Sequence, residues 1–181
     1  MRFEGGNKTC GSLWYNPNMI LYHGSNVVVK KPMLVPNQRR LDFGFGFYTT
    51  SNKEQAERFT FQVARRTKTD TRFVSVFDYD ENNEAANLKV LRFNSPDEEW
   101  LDFVQQNRLQ GETDSEYDLI IGPVANDDVF TTLQLHFLGI LTREQTLQTL
   151  KVKELYDQYV FKSEKAIRCL NYSESYIPKE D

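Results

Sequence analysis

Two short motifs near the start of the chain constrain its structure more than any other feature. The first is Leu-Tyr-His-Gly-Ser at residues 21–25, and the second, about twenty residues on, is Phe-Gly-Phe-Gly-Phe-Tyr-Thr at residues 43–49. Both are predicted to be strands that contain glycine, and a glycine lets the main chain approach a ligand closely. His23 adds a polar hydrogen-bonding group, and Tyr48 adds a flat stacking surface. The pair therefore predicts a site for a planar heteroaromatic ring attached to a ribose.

The remaining segments predict helices and strands that follow no regular strand–helix–strand rhythm. Further strands are predicted where β-branched and aromatic residues cluster, at residues 19–22, 72–79, 88–93, 117–122 and 156–161. Helix starts are predicted from capping signals at Ser51–Glu54, Ser95–Glu98 (with Pro96 at the first helical position), Asn126 and Thr142, with a final helical turn or two at 163–170. We expect residues 88–93 to lie next to residues 72–79 in a sheet. Gly139 is expected to end the third of these helices. This mixture favours an α+β fold over a doubly wound sheet.

Length and composition bound the architecture. The chain has 181 residues, of which 39% are hydrophobic, and this is enough for one substantial core. We expect residues 19–181 to form a single domain, and residues 1–18 to be a loose extension or an upstream start. The net charge of −4 argues against broad nonspecific binding of nucleic acid. The basic run at residues 65–68 predicts at most a local patch, and its ordinary interpretation is a solvated surface.

The cysteines and histidines exclude several classes of protein. Cys10 and Cys169 give neither a disulfide framework nor a metal-binding spacing. His23 and His136 are too few for a typical His-rich zinc site, so no metal is expected. No apolar run reaches the roughly 18 residues that a membrane span needs, and no signal peptide opens the chain. We therefore expect a cytoplasmic protein that does not enter a membrane.

Two other motifs carry competing interpretations. Asp42-Phe43-Gly44 spells the metal-binding tripeptide of protein kinases. The chain lacks a His-Arg-Asp loop and a glycine-rich loop with its Lys, so a kinase is not expected. Residues 122–128, Gly-Pro-Val-Ala-Asn-Asp-Asp, are expected to form a turn and a helix cap, or else a polar rim that contacts an acceptor or a nucleotide.

Three segments resemble motifs of the diphtheria-toxin-like and poly-ADP-ribose-polymerase-like ADP-ribosyltransferases. Tyr-His-Gly-Ser at residues 22–25 is similar to their His-Gly-Ser/Thr strand, and residues 43–48 are similar to their Phe-Gly-x-Gly-Ile-Tyr strand. The eleven-residue interval from Tyr48 to Phe59 matches the spacing of that family's two nicotinamide-stacking aromatics. Tyr-Asp-Gln-Tyr-Val-Phe at residues 156–161 resembles the Tyr-Asn-Glu-Tyr-Ile-Val-Tyr strand that carries their catalytic Glu.

Residues 19–172 as a whole resemble more closely a bacterial family of domains of unknown function, DUF3990. That family shares Leu-Tyr-His-Gly-Ser, Asp-Phe-Gly-x-Gly-Phe-Tyr-Thr-Thr, Gly-Pro-Val-Ala-Asn-Asp and Gln-x-x-Phe, in this order. The resemblances together imply an ADP-ribosyltransferase-like fold, with a split, mainly antiparallel β-sheet and flanking helices. They imply NAD as co-substrate, without a metal, in a cleft between the two glycine-bearing strands, the second of which contributes Gly46.

The resemblance also implies a role for each binding residue. His23 would hydrogen-bond a hydroxyl of the nicotinamide ribose, and the main chain of Gly24 would grip the carboxamide. Tyr48 and Phe59 would sandwich the nicotinamide ring. Ser25 would bind the adenine-side ribose or help to shape the loop.

The catalytic positions implied by the resemblance are His23, Tyr48 and Gln158, and the polymerase-like enzymes carry Glu at the third. A Gln can still donate and accept hydrogen bonds, but it has no charge and is no useful general base. Elongation to poly-ADP-ribose is therefore not expected, while a single transfer to an acceptor that needs little activation is. Asp157 is not expected to substitute, because neighbouring strand residues point to opposite faces.

The function implied is that of a mono-ADP-ribosyltransferase, a transferase of the glycosyltransferase class, which releases nicotinamide and modifies an unknown macromolecular acceptor. A bacterial toxin or effector role, with a small antitoxin-like partner, is an expectation at the level of the family. Two alternatives stay open. One is an NAD glycohydrolase, in which water is the acceptor, and the other is a noncatalytic module that binds NAD or ADP-ribose.

Overall fold

The described part of the chain contains seven strands and five helices. The strands pair mainly in antiparallel fashion, which confirms the α+β expectation. The computed structural model describes residues 18–35, 41–80, 87–110, 116–123, 127–151 and 155–179. The strands are β1 (Asn18–Ser25), β2 (Phe47–Thr49), β3 (Phe73–Asp80), β4 (Val90–Arg92), β5 (Leu119–Pro123), β6 (Asp157–Phe161) and β7 (Leu170–Tyr176). The helices are α1 (Lys53–Thr67), α2 (Glu98–Leu109), α3 (Asp127–Phe137), α4 (Arg143–Lys151) and α5 (Glu164–Ile167). None of these helices is both long and apolar enough to cross a lipid bilayer.

The strands form two sheets that meet at one point. One sheet has the order β1-β3-β7 and is antiparallel throughout. The other has the order β2-β6-β5-β4, with β4 parallel to β5 and the other pairs antiparallel. Among the described residues, an isolated antiparallel bridge joins them, in which Tyr22 and Thr50 exchange main-chain hydrogen bonds of 2.8 and 3.0 Å. Beyond this bridge, strands β1 and β2 separate. We call the opening between residues 23–25 of β1 and residues 47–49 of β2 the split.

Alternation along the strands sorts the apolar side chains into two cores. One core draws on both sheets and lies between them, with Leu21, Phe77 and Phe161 fully buried in it. The other lies between the four-stranded sheet and helices α2, α3 and α4, and is centred on Trp100 and Val160. Helix α1 covers the outer face of the three-stranded sheet, where it packs mainly against β1.

The helix starts differ from the sequence prediction in two places. Asn52, not Ser51, caps α1, and its side chain accepts a 2.8 Å hydrogen bond from the Gln55 N–H. The N-cap of α2 is Asp97, whose carboxylate accepts from the Trp100 N–H at 3.0 Å, so residues 95–96, the predicted cap and first helical position, lie just outside the helix. Both true caps are strong N-cap residues that stand one or two positions after the predicted ones.

Two other helix ends agree with the prediction, and a third lies outside the described residues. Gly139 follows α3 with φ of +72°, the left-handed conformation in which a glycine readily ends a helix. Thr142 precedes α4 as predicted, and its hydroxyl accepts a 3.2 Å hydrogen bond from the Gln145 N–H. The predicted cap at Asn126 lies outside the described residues.

Three strand predictions were incomplete or wrong. Residues 90–92 form β4, but β4 pairs in parallel with β5 in the other sheet and not with β3. The second motif is a strand only at residues 47–49, because Gly44 adopts φ of +72° and leaves residues 43–46 as a loop. Residues 170–176 form β7, a strand that was not predicted. It pairs with β3, and the register of this pairing shifts between Val76 and Phe77.

Candidate functional site

His23 occupies the split itself. The main-chain N–H and C=O of its neighbour Tyr22 are hydrogen-bonded to Thr50. Tyr48 lies two residues before Thr50, so its C=O points toward β1 as the C=O of Thr50 does. Nδ1 of His23 lies 2.7 Å from the Tyr48 carbonyl oxygen. The imidazole also stacks on Phe47, with ring centroids 4.4 Å apart. The His23 side chain therefore takes the place that a main-chain donor of β1 would fill if the two strands stayed paired.

The protonation state of His23 follows from these contacts. A carbonyl oxygen only accepts, so Nδ1 carries the proton and donates it. Burial lowers the pKa of His23 below its ordinary value of 6.5, and the hydrogen bond to Tyr48 opposes this shift without cancelling it. The ring is then neutral at physiological pH, and Nε2 presents a lone pair. Nε2 has no hydrogen-bond partner among the described residues, so it is available to accept from a ligand hydroxyl.

Gly24 presents an unpaired donor and acceptor next to His23. The Tyr22 N–H and C=O face Thr50, so the same groups of Gly24, a buried residue, point to the same side of β1, toward β2. Neither group makes a hydrogen bond within the described part of the chain. A carboxamide needs one acceptor and one donor together, and Gly24 offers both on one residue.

The reason for glycine at positions 24 and 46 differs from the one expected. A Cβ at Gly24 would lie 2.3 Å from the Ala56 main-chain oxygen, so the missing side chain makes room for α1. A Cβ at Gly46 would lie 2.6 Å from a methyl of Val160 and 2.9 Å from the Phe161 main-chain oxygen, so this glycine makes room for β6. Both glycines accommodate the protein's own atoms on the side of the missing Cβ. A role for Gly46 toward a ligand stays a prediction.

Tyr48 is held at the edge of the split by its hydroxyl. The Tyr48 hydroxyl donates a 2.5 Å hydrogen bond to the Gly44 C=O, and its half-buried ring packs against the core beneath α2, α3 and α4. The left-handed Gly44 therefore turns the loop back so that its carbonyl meets the hydroxyl. The aromatic ring has a fixed position on the helical side of β2.

Phe59 lies on α1 and is more exposed than the sequence pattern implies. Ala56 and Val63, predicted to share its face, are 2% and 6% exposed, whereas Phe59 is 39% exposed. It makes no ring contact with any described aromatic residue. Phe59 lies one helical turn after Gln55, whose side chain accepts a 2.7 Å hydrogen bond from the hydroxyl of Thr50 at the bridge. Phe59 is thus an exposed ring on α1, one turn after a residue that contacts the bridge.

Gln158 lies on the same face of the four-stranded sheet as Tyr48. The register pairs Tyr48 with Val160, and Gln158 stands two residues earlier on β6, level with Thr50. Its Oε1 is buried and has no hydrogen-bond partner among the described residues. Such an amide oxygen can accept from a donor that the described residues do not supply, such as water or a ligand hydroxyl.

The three catalytic positions implied by the resemblance are brought together in part. His23 contacts Tyr48 through the main chain, at the bond described above. Strand alternation directs the Gln158 side chain to the face of Tyr48 and the His23 side chain to the opposite face. In the described structure no contact joins His23 to Gln158. The His23 and Gln158 side chains thus lie on opposite sheet faces, and contact of all three side chains with one ligand stays a prediction.

Asp157 has a role that the sequence did not reveal. Its carboxylate accepts hydrogen bonds from the Ser51 N–H at 3.0 Å and the Ser51 hydroxyl at 2.7 Å. The Thr50 hydroxyl lies 3.3 Å from the same carboxylate. Ser51 had been interpreted as a helix cap, and no signal in the sequence linked it to a carboxylate 106 residues away. Asp157 thus fixes the start of β6 to the turn between β2 and α1.

The competing motifs have structural explanations. Asp42 is buried and forms an ion pair with Arg108, and its main-chain oxygen accepts a 3.1 Å hydrogen bond from the Asn107 side chain. The Pro123 C=O accepts a 3.1 Å hydrogen bond from the Trp100 indole, while residues 124–126 lie outside the described structure. The described residues contain no group of His, Cys, Asp and Glu that could hold a metal ion.

Ser25, the remaining predicted binding residue, turns back on its own loop. Its hydroxyl oxygen accepts a 3.4 Å hydrogen bond from the Val27 N–H. This contact agrees with the loop-shaping alternative, and contact with a ribose stays a prediction.

The fold and the site define an α+β protein in which the two sheets separate beside a neutral imidazole and a buried glycine, Gly24, whose main chain has no hydrogen-bond partner among the described residues. Residues 19–172 match the family described as protein of unknown function (DUF3990), and the chain belongs to this family. Comparisons with curated proteins and with solved structures found no match.

Proposed function

We propose that this protein is an NAD-dependent mono-ADP-ribosyltransferase that releases nicotinamide and transfers ADP-ribose to a macromolecular acceptor. The observation that carries the proposal is the pairing of two features on adjacent residues. Nε2 of His23 and the N–H and C=O of Gly24 have no hydrogen-bond partner among the described residues. A nicotinamide riboside offers the matching groups, a ribose hydroxyl and a carboxamide.

The aromatic residues supply the surface for the nicotinamide ring. Tyr48 is fixed by its hydrogen bond to Gly44, and Phe59 stands exposed on the flank of α1. Burying a ring between two aromatics removes apolar surface from water and adds stacking energy. The support for Phe59 is its position on α1, one turn after Gln55, which accepts a hydrogen bond from Thr50 at the bridge.

Gln158 defines what kind of transfer the site supports. The reaction breaks the bond between nicotinamide nitrogen and ribose C1′, and the electron pair leaves with nicotinamide. Positive charge develops on the ribose, and the acceptor forms a new bond at C1′. The orphaned Oε1 of Gln158 offers a partial negative charge and a hydrogen-bond acceptor without a full carboxylate. A site of this kind favours slow, single transfer.

The proposed biological role is that of a bacterial toxin or effector. We place its action in the cytoplasm, where NAD is available. A small antitoxin-like protein that blocks the opening belongs to the same proposal.

A noncatalytic NAD-binding or ADP-ribose-binding module is the second candidate. The neutral Gln158 favours it. A binding site needs hydrogen bonds, but it needs no negatively charged group to stabilise the positive charge that develops on the ribose in the transition state. An NAD glycohydrolase differs from the transferase only in its acceptor, which is water.

One experiment separates the three functions. The purified protein is incubated with NAD, alone and with cell lysate, and free nicotinamide and modified macromolecules are measured by mass spectrometry. A transferase gives nicotinamide together with a mass increase on an acceptor. Release without any modified acceptor identifies the glycohydrolase. NAD or ADP-ribose binding without release under any condition identifies the binding module and rejects both enzymes.

A further inference from the structure

We propose that Asp157 is the positioning residue of the candidate site, an inference that rests on the proposed function. It is the residue before Gln158 and makes no contact with His23. Its role is to hold the elements around the split in one fixed arrangement. It acts through Ser51 and Thr50.

The contacts of Asp157 link three elements at one point. Two hydrogen bonds to Ser51, at 3.0 and 2.7 Å, tie β6 to the turn between β2 and α1. The hydroxyl of Thr50 lies 3.3 Å from Asp157 Oδ1 and 2.7 Å from Oε1 of Gln55, which is on α1. The same hydroxyl accepts a 3.0 Å hydrogen bond from the Asn52 N–H, at the cap of α1.

These elements are the ones that present the candidate binding groups. Tyr48 is on β2, Phe59 is on α1 and Gln158 is on β6. The main chain of Thr50 also forms the bridge to Tyr22, the residue before His23. One carboxylate therefore constrains the spacing of groups that come from distant parts of the sequence. Hydrogen bonds to a charged acceptor are stronger than those between neutral groups, which suits this clamping role.

Asp118 provides a matched control at the far end of the same sheet. It stands just before β5 as Asp157 stands at the start of β6, and its carboxylate accepts from the Lys89 N–H at 2.9 Å and the Ser163 hydroxyl at 2.6 Å. It lies four strand positions from Gly122, the residue paired with Gln158, a distance of roughly 13 Å. Asp118 therefore makes a similar clamp away from the split.

Hydrogen exchange tests the positioning without any ligand. In Asp157→Ala, the amides of Tyr22 and Thr50, which form the bridge, are expected to exchange at least about tenfold faster than in the wild type. In Asp118→Ala they are expected to keep their wild-type rates, while amides near Lys89 accelerate. Unchanged exchange at the bridge in a folded Asp157→Ala variant would overturn the inference.

Kinetics test the consequence for the site. Asp157→Ala is expected to lower kcat for nicotinamide release by about tenfold and to change KM less. The reason is that Gln158 would no longer be held in the position from which it stabilises the transition state. Asp157→Asn keeps an oxygen for the Ser51 N–H and is expected to recover most of the rate. Asp118→Ala is expected to retain the wild-type rate. Equal losses in the two alanine variants would refute a specific positioning role.

Failure of the proposed function gives a different result. A wild-type protein that neither binds nor cleaves NAD would reject the proposed function. The exchange rates at the bridge would still decide whether Asp157 holds the split.

Discussion

The imidazole of His23 donates to the main-chain oxygen of Tyr48 over 2.7 Å, across the point at which β1 and β2 part. The bond joins a side chain of one sheet to the main chain of the other. It also fixes which ring nitrogen carries the proton, so that Nε2 is an acceptor as long as the ring stays neutral. The structure thus couples the geometry of the split to the protonation of a single residue.

Stability is expected to fall at acid pH because of His23. Burial lowers its pKa in the folded state below the ordinary 6.5, so below pH 6.5 the unfolded chain takes up a proton that the folded protein resists. The free energy of unfolding therefore decreases as the pH falls from 6.5 through the lowered pKa, and levels off beneath it. Urea unfolding of wild type and His23→Asn, compared across this range, measures the difference. Parallel pH profiles for the two proteins would exclude this contribution.

NAD turnover is expected to follow the same titration. Protonated Nε2 cannot accept from a ribose hydroxyl, so activity should be flat above pH 6.5 and fall once the pH passes below the lowered pKa of His23. The measurement is kcat/KM for nicotinamide release against pH. An acid limb at or above 6.5 would show that another group controls the reaction.

Tyr48→Ala is expected to weaken NAD binding by about 1–3 kcal/mol, through lost stacking and burial. Tyr48→Phe keeps the ring, removes the hydrogen bond to Gly44 and should keep most of the affinity. Calorimetry with NAD compares both variants with the wild type, after circular dichroism has shown that they are folded. An unchanged affinity in Tyr48→Ala would place the nicotinamide elsewhere.

Phe59 and Phe61 form a matched pair for locating the second stacking ring. They are 39% and 43% exposed, and they point to nearly opposite sides of α1. Phe61 lies under the guanidinium of Arg72, 4.1 Å from its ring centroid. Phe59→Ala is expected to weaken NAD binding by about 1 kcal/mol or more, whereas Phe61→Ala should leave it unchanged. Similar affinities for both variants would remove Phe59 from the site.

Gln158→Ala is expected to slow nicotinamide release roughly ten- to thousandfold with little change in NAD affinity. Gln158→Glu should accelerate NAD cleavage, because a carboxylate better stabilises positive charge on the ribose. Release and NAD affinity are measured for both variants, with and without lysate. A rate that is insensitive to Gln158→Ala would leave the enzyme standing but take Gln158 out of its mechanism.

Gly24→Ala is expected to destabilise the fold by roughly 1–3 kcal/mol, because its Cβ would collide with the Ala56 main-chain oxygen at 2.3 Å. Thermal and urea unfolding measure this loss. A stable Gly24→Ala variant with reduced NAD affinity would instead support the original expectation, that glycine is needed for the close approach of a ligand.

Local sequence patterns predicted most of the helices and strands. The first two motifs gave strands β1 and β2, which border the split. Two features were missed because they depend on distant contacts. The pairing of β4 with β5 places residues 90–92 in the second sheet, and no local pattern distinguishes that from a hairpin with β3. Likewise, β7 alternates too weakly, as Leu-Asn-Tyr-Ser-Glu-Ser-Tyr, to be identified without its partner.

For three residues at the candidate site, packing or long-range hydrogen bonds supply a structural role that the sequence did not reveal. Glycine at positions 24 and 46 was attributed to a ligand, yet the nearest atoms to the missing side chains belong to α1 and β6. Asp157 was set aside because it points away from Gln158, and that orientation is what brings it to Ser51. Packing and long-range hydrogen bonds of this kind become visible only when the elements are assembled.

The chain order of the elements around the split has a consequence for synthesis. Tyr22 and Thr50 can meet early, but β6 and the clamp of Asp157 join them only after more than one hundred further residues have been made. Contacts between such distant segments form late, since the entropy of closing a long loop must be overcome first. A nascent chain that stops before β6 has His23 and Tyr48 but neither Asp157 nor Gln158, so the opening is assembled as one of the last steps of folding.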